Sequence, residues 1–595
     1  MRAFLAVSVA PGAVAPAPAR RLLATAQLGP AGKLVTLETD HDWVVLAGAE
    51  RAEADGAFTV RLTNSVRSRT GDLGAAALAR LVTPRPDGPA LAGILPPFAV
   101  AHREGPRAPI VAVTDWLGLR QLFWWQGDGV AAVSTSALAL AALSGAGIDA
   151  AAARVQSLVG WQLGLDTLFA GVTKLGPAGV ATLASGRVTL DTYAEPLGTF
   201  DDQSPDPAAV VDEMAGVLRE IHAAYLTDHP GTMIQLTGGQ DSRILLCSTP
   251  AELRPRLRAM TLGTADSPDV RVAAKLAASC GIPHEVLRLD RQDPIDPATA
   301  HALALEAARL LDGMASPLAL APLLLAESRL EQGHRLSGIG GETARGFFYP
   351  GQPGDAQTSA RLVQRLAQWR LFANEAVATE ALGGELADES REGVHARLEK
   401  VFGDLSRDWL RATDEFYLFQ RTQRWAGAHG TPASVSRHFV NPLLDRRVME
   451  LALAARPADK RDSRLSGRLM QRLDPGLAAM PLDSGLVPAR LANPGAGAAL
   501  SLATVKARKV TAKVRQRLRG AGRAQLGAAE MAGLVVAHWR AEPGCAPVNA
   551  LRTGNVVDDN WLGELLDGRR EADTATVAFL INLAVAGEVT GVKGS

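Results

Sequence analysis

The run Leu236-Thr237-Gly238-Gly239-Gln240-Asp241-Ser242-Arg243 brings two glycines, two hydroxyls and a carboxylate together. Glycines let a backbone turn tightly and carry its N–H groups up to a ligand, and a helix starting near Ser242 would add the positive end of its dipole. The Thr237 and Ser242 hydroxyls can donate to phosphate oxygens. Asp241 is the odd member, because a carboxylate among phosphates is repelled unless a divalent cation such as Mg²⁺ stands between them. The set therefore fits phosphate with its magnesium. The same residues also suit a polar strand-to-helix turn in which Asp241 or Ser242 caps the helix.

The surrounding periodicity predicts a helix over 210–225, a strand over 232–236, a helix from 242, a strand over 258–262, a helix over 270–279 and a strand over 285–289. Such alternation builds a parallel, doubly wound sheet. The glycine run follows the first of these strands at its carboxyl end, where open α/β sheets bind ligands. Beyond about residue 300 the pattern is mainly helical, apart from a short run at 334–337. Upstream, β-type runs at 42–46, 58–62, 110–113, 121–125 and 130–134 make the first part strand-rich. A Pro- and Asp-rich passage over 195–207 separates the two regions and predicts a boundary there.

Composition narrows the partners. The chain has 595 residues, enough for two domains. Lys plus Arg and Asp plus Glu are equal at 62 each, so no global charge argues for nucleic acid or an acidic membrane. No run reaches the roughly 18–20 uninterrupted apolar residues that span a bilayer. The start, Met1 to Val9, reads as a first β-strand rather than a signal peptide. The three cysteines, Cys247, Cys280 and Cys545, are odd in number and lie outside any metal-ligand spacing, which predicts reduced thiols in a cytoplasmic protein. Cys247 and Cys280 read as core. Between Ser484 and Ala529 there is no acid, yet Lys506, Arg508, Lys509, Lys513, Arg515, Arg517, Arg519 and Arg523 crowd together. This basic insertion, over about 490–525, reads as a solvated helix or as a docking surface for an acidic partner.

Further segments stand in a telling order. Pro97-Phe98-Ala99-Val100, Thr114-Asp115-Trp116-Leu117-Gly118-Leu119-Arg120-Gln121-Leu122-Phe123-Trp124-Trp125 and Gly171-Val172-Thr173-Lys174-Leu175-Gly176-Pro177 precede the glycine run. Met260-Thr261-Leu262-Gly263, Asp269, Leu336-Ser337-Gly338-Ile339-Gly340-Gly341-Glu342 and Arg437-His438-Phe439-Val440-Asn441-Pro442 follow it. The succession resembles asparagine synthetase over most of the chain. Within that superfamily it looks most like the cyclases that close the macrolactam of lasso peptides.

The resemblance implies an α/β protein. Residues 1–200 would be a glutaminase-like, Ntn-type αββα sandwich, and residues 208–595 an ATP pyrophosphatase-type domain with a doubly wound parallel sheet and a helical C-terminal part. It implies that Leu236, Thr237, Gly238, Gly239, Asp241 and Ser242 hold the pyrophosphate of ATP. The backbone near Leu262 would flank adenine, and Ser337 and Gly338 would lie against the nucleotide. Asp241 and Glu342 would hold Mg²⁺. The family usually has Asp at the latter position, so the longer Glu342 must bind differently or through water.

Three departures qualify the likeness. The parent family hydrolyses glutamine with a cysteine exposed as first residue, whereas here Met1 precedes Arg2 and no cysteine occurs before Cys247. The first domain is thus expected to be a structural or peptide-binding relic. The glutamate of the second synthetase loop is Ile339, which can do no proton chemistry. The transition-state lysine has no clear match; Lys460 and Arg468 are both candidates, and so is a surface role for each. Asp312, before Gly313, lies where relatives approach the acceptor substrate and could orient or deprotonate the amine. A helix C-terminal turn explains the same pair.

The implied reaction is AMP-forming carbon–nitrogen ligation. An Asp or Glu side chain of a leader-cleaved core peptide would be adenylated and joined to the peptide's N-terminal amine. That would require a precursor peptide, a leader-binding protein and a leader peptidase as partners. An amide synthetase acting on a small carboxylate with ammonia or a small amine, and a catalytically inactive ATP-binding scaffold, remain alternatives. Thiolation of a nucleic acid uses such loops too, but its cysteine pair is missing.

Overall fold

The computed structural model describes residues 3–14, 34–38, 42–47, 51–54, 57–83, 85–195, 197, 205–263, 267–288, 295–327, 333–373, 375–493 and 527–590. The basic run from Lys506 to Arg523 lies outside them.

Strand β1 (Ala3–Val9) is apolar apart from Ser8, and both its faces are buried. Alternate side chains point to opposite sides of a strand. Phe4 and Ala6 therefore enter one core, while Leu5, Val7 and Val9 enter another. Eleven further strands complete this half: β2 (Leu34–Glu38), β3 (Asp42–Ala47), β4 (Arg51–Ala54), β5 (Ala57–Arg61), β6 (Ala99–Arg103), β7 (Ile110–Thr114), β8 (Phe123–Gly127), β9 (Val130–Ser134), β10 (Thr173–Lys174), β11 (Gly179–Ala184) and β12 (Arg187–Thr192). They form two six-stranded antiparallel sheets, ordered β10-β8-β9-β1-β3-β2 and β12-β11-β7-β6-β5-β4. Phe4, Phe58, Val60, Ala112, Val133 and Leu183 fill the space between the sheets. Helices Ala75–Val82 and Gly88–Ala92 cover one outer face, and Ala137–Ser144 and Ala150–Val159 the other. The result is the expected αββα layering. Strand β8 starts two residues later than the periodicity predicts, and the Gln121 side-chain amide just before it donates to the Arg424 carbonyl at 3.1 Å.

The second half holds β13 (Thr232–Gln235), β14 (Leu257–Gly263), β15 (His284–Arg288), β16 (His334–Leu336) and β17 (His438–Val440). All pair in parallel, in the order β15-β14-β13-β16-β17. The chain builds outward from β13 on one side and then returns to its other side. That reversal lies between β13 and β16, so the loops after these two strands diverge and leave a crevice at their carboxyl ends. Helices Pro207–Asp228, Gln240–Ser248 and Pro268–Ser279 pack on this sheet. The fold is α/β, with N-terminal antiparallel sheets, a C-terminal parallel sheet and many helices.

The two halves are joined by polar contacts. Asp115 is fully buried and accepts from the N–H groups of Phe98, Leu117, Leu119 and Arg120 at 2.8–3.2 Å. It thereby shapes the 115–120 turn that meets the second half. Trp116 Nε1 donates to the Leu444 carbonyl at 3.1 Å, and Gln423 Nε2 to that of Leu117 at 2.7 Å. Arg69 grips Asp445 through two bonds of 2.8 Å. The C-terminal helices Ala528–Ala541, Ala546–Thr553 and Thr574–Thr590 share one core with helix Pro297–Leu310 and the outer face of the first sheet. Among the described residues, no helix is long and apolar enough to cross a membrane.

Candidate active site

Leu236 directly follows β13 and is wholly buried. Its N–H donates to Met260 O at 2.8 Å and its carbonyl accepts from Thr261 Oγ1 at 2.7 Å, so this residue anchors the loop to β14. The next residues brace one another. Thr237 N–H donates to Ser242 Oγ at 3.0 Å, and Gly239 N–H donates to Thr237 Oγ1 at 3.1 Å. Gly238 N–H donates to Asp269 Oδ1 at 2.8 Å, at the start of helix Pro268–Ser279. A Cβ on Gly238 would meet Cβ of Asp483 at 2.6 Å, which is why the loop needs glycine here.

The helix that follows, Gln240–Ser248, has Gly239 as its N-cap and no side-chain cap. The structure builds a polar strand-to-helix turn here, but neither Asp241 nor Ser242 caps the helix. Uncapped helix N–H groups above a glycine turn form an anion site.

The loop after β16 closes on the same place. Ser337 N–H donates to Val440 O at 3.0 Å, and Ser337 Oγ accepts from Ile339 N–H at 3.4 Å. Gly338 and Gly341 lie directly on Asp241: a Cβ at Gly338 would come within 3.2 Å of its Cβ, and one at Gly341 within 2.2 Å of Oδ1. Asp241 Oδ2 accepts from Arg345 Nη2 at 2.9 Å, and the same Nη2 stands 3.2 Å from Glu342 Oε1. Asp241 Oδ1 is sealed from solvent with no hydrogen-bond partner. Burial and the nearby Glu342 charge push Asp241 up to about 7 against the pull of Arg345. Two acids forced together, one with an orphaned buried oxygen, fit a divalent cation bound by oxygen. Asp241 and Glu342 are the residues that would hold Mg²⁺.

The second-loop glycines permit this contact. Gly341→Ala is expected to push the Asp241 carboxylate aside and lower AMP formation by about 10- to 100-fold, with little change in thermal midpoint. Initial rates and a melting curve on the same preparation check it.

Leu262 lies half-buried near the end of β14, paired with Leu287 of β15. The remaining residues singled out in the sequence lie elsewhere in the packing. Lys460 is fully buried, 2.5 Å from Asp414 Oδ2, and donates to Ala452 O at 3.0 Å. Arg468 is tied to Asp459 at 3.0 Å and to Ala492 O at 3.3 Å. Asp312 is buried where the halves meet: Ser136 Oγ donates to its Oδ1 at 2.6 Å and Leu138 N–H at 3.2 Å, so it steadies the start of helix Ala137–Ser144. Burial pushes Asp312 up to about 6, against these hydrogen bonds and the charge of Arg120.

A raised carboxylate favours folding below its unfolded value and loses that contribution as pH rises through its folded value. Asp312→Asn keeps the acceptor oxygen. It is expected to gain on the wild type by on the order of 2 kcal/mol between about pH 4 and 6, and to keep its activity. Asp312→Ala is expected to lose about 2–3 kcal/mol. Denaturant unfolding across that range reads both. A stable Asn variant without ligase activity would instead place Asp312 at the acceptor.

Two contributors escape a reading of the sequence. Arg345 has no motif to flag it, although it lies three residues beyond Glu342. Buried Arg243 donates to the carbonyls of Leu477, Met480 and Pro481 at 3.0–3.1 Å, and Asp483 N–H donates to Gly238 O at 3.0 Å. A segment some 240 residues downstream thus forms the loop's outer wall.

Residues 226–473 match the family model described as asparagine synthase. This part of the chain is similar to asparagine synthase. The match spans β13 to β17 and both loops, and supports an ATP-dependent ligase activity of the amide- or amine-forming kind. Among solved structures, glutamine phosphoribosylpyrophosphate (PRPP) amidotransferase from B. subtilis, complexed with ADP and GMP, is similar at 10% identity. The similarity covers 58% of this chain and 77% of that one, with a TM-score of 0.21. No curated protein matches.

Proposed function

We propose that this chain is a lasso-peptide cyclase, which uses ATP to join an Asp or Glu side chain of a core peptide to that peptide's own N-terminal amine. The observation that carries the reading is the paired Asp241 and Glu342 at the mouth of an uncapped helix, set in a region similar to asparagine synthase. The cysteine-free sandwich domain supports a reaction that draws no ammonia from glutamine.

A carboxylate is a poor acyl donor because its leaving group would be oxide. Adenylation cures this: the substrate carboxylate oxygen bonds to the α-phosphorus of ATP, and the bond to pyrophosphate breaks. Mg²⁺, when bound, neutralises phosphate charge there. The helix N-terminus after Gly239 faces the anion, the glycines admit it, and Arg345 keeps the two acids in place. The amine nitrogen then bonds to the acyl carbon, loses a proton and releases AMP, so the peptide loses one water. An α-amino group has a pKa of about 7.7–8.0, so a useful fraction is already neutral. The harder requirement is a threaded peptide held away from water, for which the sandwich and C-terminal helices serve as walls.

The test is intact mass spectrometry of a candidate precursor with its leader-binding protein, leader peptidase, ATP and Mg²⁺, with and without this chain. A core peptide lighter by one water, together with released AMP, is expected. Correct leader removal with an unchanged core would overturn the peptide reading in favour of a small carboxylate substrate. Failure of every carboxylate to elicit AMP would leave a scaffold.

A further inference from the structure

Far along the chain from the nucleotide loops, His301, His538 and Cys545 bring one ligand atom each within 4.8 Å of one another. Among the described residues they are the one group of three such side chains that converge in this way. His301 sits on helix Pro297–Leu310, His538 in the last turn of Ala528–Ala541, and Cys545 at the N-cap of Ala546–Thr553. Only His538 and Cys545 are near in sequence, so no ligand spacing betrays the group. The two imidazoles stack at 4.3 Å between centroids, and both residues are more than nine-tenths buried. His301 Nε2 is buried there without a hydrogen-bond partner.

A buried imidazole nitrogen left unpaired needs an explanation, and a cation at the converging atoms supplies one. We propose that His301, His538 and Cys545 form a structural zinc site, with Glu542 as its fourth ligand. Two imidazoles and a thiolate select a borderline-soft transition ion over Mg²⁺ or Ca²⁺. Glu542 Oε2 already stands 3.9 Å from His538 Nε2. Zinc bonds of roughly 2.0–2.3 Å place ligand atoms about 3.3–3.8 Å apart, so side-chain rotations of about 1 Å close His301, His538 and Cys545 on an ion, and the exposed Glu542 side chain turns in from outside that group. The turn from Glu542 to Cys545 is held independently. Cys545 N–H donates to Glu542 O at 3.0 Å, Asn549 Nδ2 to Gly544 O at 2.8 Å and Arg552 Nη1 to Pro543 O at 3.3 Å. The nearby cation Arg309 is paired with Glu588 at 2.8 Å. The ion would clamp two C-terminal helices onto helix Pro297–Leu310, within the core shared with the sandwich.

The experiment uses the full chain, stripped with a chelator and titrated with Co²⁺ and then Zn²⁺. One tightly bound Co²⁺ per chain is expected, with a thiolate-to-cobalt charge-transfer band that Zn²⁺ abolishes, and zinc should raise the thermal midpoint by several degrees. Cys545→Ser should lose the band and at least tenfold in zinc affinity. Serine is itself a favoured N-cap, so the helix start should survive. His538→Gln tests the same site through another ligand and should lose the zinc-dependent rise in midpoint. Cys280→Ser and Asp241→Asn should both keep the band, which separates this site from the acids of the nucleotide loops. Absence of stoichiometric cobalt or zinc, or a band and thermal shift unchanged in Cys545→Ser, would overturn the proposal.

Discussion

Asp241→Asn is expected to lower ATP-dependent AMP formation by at least ~100-fold while the chain stays folded. The substitution keeps shape and removes charge. Its target is the oxygen that the structure leaves without a partner, Oδ1, buried beneath Gly341. An amide there cannot neutralise a divalent cation, and its NH₂ group would turn a donor toward a site that needs acceptors. The fold should not suffer, because the bonds that shape the loop run from Thr237 to Ser242 and from Gly238 to Asp269, none through Asp241. Arg345 keeps Glu342 as a partner at 3.2 Å. A carboxylate pushed up to about 7 is also costly to keep ionised at neutral pH, so its loss relieves the free protein. Pyrophosphate release and a thermal melt at pH 8, measured side by side, read the two halves of the claim. Retention of AMP formation within about threefold would remove Asp241 from the chemistry.

The loop and the parallel sheet are legible in the sequence because each rests on local pattern, whereas the layers of the first half, strand-rich by periodicity alone, are implied only by the resemblance to asparagine synthetase. Glycine pairs, hydroxyls and apolar runs act over a few positions, as in β1 and in the stretch from β13 into helix Gln240–Ser248. What escapes is chemistry assembled from afar. Arg345 becomes notable only once Gly341 lies on Asp241, and Asp269 becomes a brace only once its helix start reaches Gly238. Arg243 closes the glycine run with no role that its neighbours in sequence suggest, and the structure buries it against the carbonyls of the 477–481 segment. Asp312 illustrates the same limit from the other side. Its neighbour Gly313 signals a helix end, and the structure has both residues at positive φ after helix Pro297–Leu310. The carboxylate's partners, Ser136 and Leu138, lie over 170 positions away, where no local pattern reaches.

Lys460→Met is expected to cost about 3–5 kcal/mol of stability, since it strands a buried carboxylate. The Lys460 ammonium is fully enclosed, 2.5 Å from Asp414 Oδ2, and Tyr349 Oη donates to that same oxygen at 2.6 Å. Burial raises Asp414 even with these partners, so removing the cation leaves a charge that little else compensates. Adding Asp414→Asn removes that charge while keeping an acceptor for Tyr349, and should recover at least about half of the loss. The double variant also separates packing from catalysis. Two of the three ammonium donors are already spent on Asp414 and Ala452 O, so a role on the reacting phosphate would require the side chain to break that pair. If Lys460 serves the fold, AMP formation should return with stability to within about tenfold of wild type. If it serves the phosphate, the double variant should melt as a stable protein and remain inactive, because no neutral methionine can oppose the charge that develops there.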